Sequence, residues 1–83
     1  MQREAITAEL KSFLEREFPN QAVELGESTN LLEEWFVDSL GVVETVLFLE
    51  QHFGIGLSRA DVNGTNFKDI ESLSRLVCER LKT

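Results

Sequence analysis

The sequence is short of the residues that most simple site chemistries require. One cysteine, Cys78, excludes an internal disulfide framework, and a single histidine, His52, leaves no zinc-ligand pattern. The acidic residues lack the spacing of a calcium loop. No basic-then-apolar leader is present and no apolar run is long enough to cross a bilayer, so the expected setting is cytoplasmic, without membrane insertion. Cations are outnumbered: 8 Lys and Arg stand against 15 Asp and Glu, a net charge of -7. Such a surface repels phosphate backbones and anionic lipid, which argues against nucleic acid as a partner. It either keeps a small protein soluble or steers it toward proteins with basic patches. There is no strand-like alternation bounded by turns, no internal repeat and no low-complexity tract.

What is present is a helical pattern. At 83 residues the chain is expected to form one domain, spanning 1–83, and to fold as a monomer. A first helix is predicted from about Arg3 to Phe18, with Ile6, Leu10, Phe13 and Leu14 on one face and Pro19 as the stop. From Asn20 to Val37 the periodicity fails, and Gly26, Ser28, Thr29 and Asn30 read as a long loop pinned to the core by Leu31, Leu32, Trp35 and Phe36. A second helix runs from Asp38-Ser39 to Phe53, ended by Gly54-Ile55-Gly56. Ser58 and Asp61 have capping-box spacing for a short third helix. The last helix is predicted from Phe67 to Leu81, capped by Asn66, with Phe67, Ile70, Leu73, Val77 and Leu81 inward. The fold class is all-α: three main helices plus a short one, with a long connection between the first two.

The second helix carries more apolar surface than a small bundle needs. Val42, Val46, Leu49 and Phe53 make its core stripe, while Leu40, Val43 and Leu47 form another, roughly 120° around the axis. Glu44 and Glu50 flank that second stripe, which either docks a partner or packs under the long loop. Ser39, at the helix start, is by default a cap for exposed N–H groups. The same first turn, with unpaired donors and positive dipole potential, also tolerates a phosphate. Gly41 costs roughly 1 kcal/mol relative to alanine inside a helix. It either permits close approach to Ser39 or is slack at a helix end.

Asp38-Ser39-Leu40 opening a helix after a long loop, in an acidic four-helix chain, resembles the acyl carrier and peptidyl carrier protein superfamily. The similarity includes Asn30-Leu31-Leu32, Leu49-Glu50-Gln51-His52-Phe53-Gly54 and Asn66-Phe67. It implies an acyl-carrier-like four-helix bundle in which a phosphopantetheinyl transferase esterifies Ser39 with 4'-phosphopantetheine from coenzyme A. The arm's thiol then carries an acyl or aminoacyl group as a thioester. By the same resemblance Asp38 presents the site to the transferase, and Leu40, Val43 and Glu44 lie on the face that partner enzymes recognise, to which the second stripe adds Leu47. Those partners are a loading ligase for acyl or aminoacyl cargo and downstream acyl-transfer enzymes. Two positions depart from the pattern: Val37 stands where many members have glycine, and Gly41 where fatty-acid carriers often have an acid. Glycine there is similar to D-alanyl and some aminoacyl carriers. An acyl carrier in fatty-acid, polyketide or other specialised metabolism is the main expectation, and an aminoacyl, peptidyl or D-alanyl-like carrier the second.

No catalytic or metal residues are expected. His52 lies thirteen residues after Ser39, roughly 20 Å along a continuous helix, too far for a nucleophile–base pair. Cys78 reads as an edge-of-core residue. The rival of another class is a non-covalent interaction module, which keeps the acidic face but gives Ser39 no special chemistry.

Overall fold

The computed structural model describes residues 2–18, 24–35 and 39–82, with Ser39 described in its backbone only. Helix α1 spans Arg3–Glu17 and buries Ile6, Leu10, Phe13 and Leu14, as the spacing predicts. Its end is closed by the Phe18 N–H, which donates to the Leu14 carbonyl at 3.0 Å. Pro19, where the sequence places the stop, lies outside the described residues.

The described part of the connection after α1, residues 24–35, holds more regular structure than its periodicity suggests. Leu31–Trp35 winds into a single wide helical turn. The Asn30 side chain accepts from the Glu33 N–H at 3.1 Å, starting the turn as an aspartate or asparagine commonly does. Leu31 and Trp35 go inward, as expected, whereas Leu32 stays 39% exposed and Phe36 lies outside the described residues. Leu25 is also buried. Two backbone bonds fasten the connection to the far side of the fold: Leu31 N–H to Lys68 O at 2.6 Å, and Glu71 N–H to Glu27 O at 3.2 Å.

Helix α2 spans Ser39–Phe53 and stops at Gly54, whose φ of 68° places it in the left-handed region where glycine carries no Cβ penalty. A short 3-10 turn, Arg59–Asp61, follows. Its two ends meet as the capping-box spacing predicts, the Ser58 N–H donating to Asp61 Oδ2 at 2.9 Å. Asp61 then reaches 19 residues along the chain to a two-pronged ion pair with Arg80, whose Nε lies 3.2 Å from Oδ2. The guanidinium hydrogen bond first, and the Ser58 N–H second, hold the Asp61 carboxyl down at about 2, against an ordinary value of 3.8.

Helix α3 spans Ile70–Leu81, beginning three residues later than the sequence predicts. Asp69, not Asn66, is the cap: its carboxylate accepts from the Ser72 N–H at 2.8 Å. Asn66 is held in the preceding turn, where Asn63 Oδ1 takes its N–H at 2.8 Å and its own side chain donates to Asp61 O at 2.9 Å. Phe67 is buried from that turn rather than from the helix. Leu81 is 41% exposed, while Leu76 and Ser74, absent from the predicted stripe, are inside. The Ser74 hydroxyl is satisfied by Thr7 Oγ1 at 2.9 Å, so a buried polar pair joins α3 to α1.

One hydrophobic cluster unites these elements, running from Ile6, Leu10 and Leu14 through Leu31, Trp35 and Leu49 to Phe67, Leu73 and Val77. Helices α1 and α3 form its principal layer, with α2 laid against them. Among the described residues there is no strand, and the all-α architecture is the predicted one. Cys78 is a half-buried free thiol at the edge of the cluster.

Candidate functional site

The turn of helix that bears Ser39 is built from residues of two kinds. On one side Gly41, Thr45 and Leu49 recur every four residues, and all three are buried. The Thr45 hydroxyl is occupied within the helix, donating to the Gly41 carbonyl at 2.8 Å. The innermost line of α2 is therefore one of mostly small side chains. Val42, Val46 and Phe53, predicted as the core stripe, sit half-buried on its flank. The buried meridian is turned by roughly 70° from the predicted one at 100° per residue.

On the opposite side, Leu40, Val43 and Leu47 are 58%, 52% and 49% exposed. The second apolar stripe thus stays in solvent rather than under the long connection. Glu44 is exposed beside it. Glu50, predicted as the other acidic flank, plays a structural part instead. Its Oε2 accepts from the Leu57 N–H at 3.0 Å and secures the chain after Gly54. Of the two carboxylates predicted to flank the strip, Glu44 is exposed and Glu50 is half-buried and bonded. A shallow cleft of ≈ 310 Å³ between α1 and α2, lined by Phe13, Arg16, Leu47 and Phe48 among others, borders it.

Ser39 is the first residue of α2, and no acidic side chain lies in that first turn. The N–H groups of a helix start have no intrahelical acceptor and carry the positive end of the dipole, so the place suits a phosphodiester. The Asp38 side chain, predicted to act beside Ser39, lies outside the described residues.

His52 is engaged elsewhere. Its Nε2 is 3.1 Å from Glu9 Oε2 on α1. Its ring stacks on Phe48 at 4.8 Å and 14°, and Phe48 stacks in turn on Phe13 at 4.0 Å and 12°. This ladder packs α2 against α1. Nothing in the sequence singles out Phe48 and Glu9 for it, because pairing across two helices leaves no periodic mark. Since α2 is continuous from Ser39 to Phe53, the histidine cannot serve as a base for that serine. Among the described residues no three metal-ligating side chains gather, and no helix is long and apolar enough to cross a membrane.

A family model described as a phosphopantetheine attachment site matches residues 4–77, from the first turn of α1 into α3. No curated protein matches the sequence closely enough to count as a relative.

Proposed function

The chain belongs to the phosphopantetheine attachment-site family, and on that premise we propose that Ser39 is the residue that holds the arm. The family's cofactor is 4'-phosphopantetheine, and the general role is that of a carrier served by a phosphopantetheinyl transferase and acyl-handling enzymes. When attached, the arm supplies a thiol able to hold a carboxylic acid as a thioester. Everything else falls to the chain's own groups. The first-turn N–H groups of α2 take the charge of the phosphodiester. Asp38 presents the serine to the transferase. Leu40, Val43 and Leu47 offer partners an apolar strip, and Glu44 attracts basic residues at its edge.

In this reading the protein catalyses nothing. Tethering keeps a dilute substrate at high effective concentration near each partner's active site, and contact is brief because the strip is small. The observation that carries the reading is the exposure of three large apolar side chains on the one helix that Ser39 begins. The cargo is an acyl group of fatty-acid, polyketide or other specialised metabolism, handled in the cytoplasm. A second reading, an aminoacyl, peptidyl or D-alanyl-like carrier, is favoured by Gly41, a buried glycine where fatty-acid carriers often have an acid.

Intact-mass measurement after incubation with coenzyme A and a broad-specificity transferase tests the proposal. The wild type gains one phosphopantetheine and Ser39→Ala gains none. An unmodified wild type leaves a non-covalent docking module as the alternative. Mass analysis of the loaded protein isolated from its own cells distinguishes acyl from aminoacyl cargo.

A further inference from the structure

We propose that Trp35 is a positioning residue for the loading of Ser39: its indole N–H ties the wide turn Leu31–Trp35, which precedes α2 in the chain, onto the end of α1. The inference rests on Ser39 being the attachment point. Trp35 is 4% exposed, and its Nε1 donates to the Leu14 carbonyl at 3.2 Å. That carbonyl belongs to the last turn of α1 and also accepts from the Phe18 N–H at 3.0 Å. The other end of the same wide turn is held by the Leu31 N–H on Lys68 O at 2.6 Å, just ahead of α3. The turn before α2 is therefore moored at both ends, to two different parts of the fold.

Ser39 follows Trp35 by four residues, a tether of at most ~15 Å at 3.8 Å per Cα step. Packing alone does not call for an indole here, since a phenylalanine also buries an aromatic ring. A buried N–H, however, is costly unless bonded, so the donor selects the one ring orientation that meets Leu14. With the turn held at both ends, the start of α2 is confined to that reach from residue 35. During loading the seryl oxygen attacks the phosphorus that carries pantetheine in coenzyme A. It loses its proton to a base of the transferase, and adenosine 3',5'-bisphosphate leaves as the old P–O bond breaks. Such an in-line attack is sensitive to displacement of the nucleophile by about 1 Å. The strip formed by Leu40, Val43 and Leu47 does not include Trp35, so docking and positioning are separable.

Steady-state loading kinetics of Trp35→Phe test this. The expected result is a fall of roughly fivefold in kcat, the worth of one net hydrogen bond, with KM unchanged. A purely structural role lowers the folded fraction and raises apparent KM instead. Equal kcat, or an effect confined to KM, overturns the proposal. Should Trp35→Phe not fold, benzothienylalanine at position 35 replaces only the N–H, with the same expected split. In the wild type the Trp35 indole proton is expected to exchange slowly with solvent; exchange at the rate of a free indole also overturns the proposal. A wild type that takes no arm at all is a different failure, since it removes the Ser39 reading and this one with it.

Discussion

Helices α2 and α3 use apolar surface in opposite ways. In α3 nearly every apolar side chain is spent on the core, with Ile70, Leu73, Leu76 and Val77 buried and the charges of Glu71, Arg75 and Glu79 outside. In α2 the innermost line is glycine, threonine and leucine, while Leu40, Val43 and Leu47 face water. Burial accounts for the sequence of α3. It does not account for α2, whose outward leucines and valine add nothing to the core. The difference marks one helix as a structural member and leaves the other with an apolar face in water, the face proposed above for docking.

The contrast can be broken by exchanging what each helix loses. Leu73→Ala removes a fully buried side chain and is expected to cost about 2–5 kcal/mol, measured by denaturant unfolding, with the partner surface untouched. Leu47→Ser is expected to change stability by under about 0.5 kcal/mol, yet to slow partner-dependent transfer roughly tenfold, the range of an interface residue that matters. If Leu47→Ser instead unfolds the protein, the strip belongs to the core and the distinction fails. A smaller effect is expected from Glu44→Lys, which reverses the charge beside the strip: slower association with basic-rimmed partners, most visible at low salt, and an unchanged fold.

Asp61 sharpens the comparison from the α3 side, because its partner Arg80 lies on that helix. Its carboxyl titrates lower in the folded chain than its ordinary 3.8, so the ion pair stabilises the fold above that value and the gain is lost as pH falls toward about 2. Asp61→Asn is expected to lower Tm at neutral pH and to flatten the decline in Tm between about pH 4 and 2. An unchanged acid profile in the variant removes Asp61 as its cause.

The sequence carries these features to unequal depth. The face of α1 was legible because Ile6, Leu10, Phe13 and Leu14 are large, apolar and helically spaced. The second stripe of α2 was legible for the same reason, while its exposure was settled only by the fold. The buried line of the helix was not legible, since Gly41 and Thr45 add little to any apolar pattern and are inside by geometry. Asn66 and Asp69 are both competent caps, and what separates them is Asn63, whose side chain claims the Asn66 N–H before a helix can start there. The Asp61–Arg80 pair, the Thr7–Ser74 pair and the Glu9–His52 contact join residues distant along the chain, and no spacing rule finds them.

Trp35 is the only tryptophan in a chain that has no tyrosine. Excited at long ultraviolet wavelengths, the molecule emits from one indole, sealed from water and hydrogen-bonded to a carbonyl. The protein thus contains its own optical gauge, seated four residues from the serine, and unfolding is expected to shift its emission to the red with no dye attached.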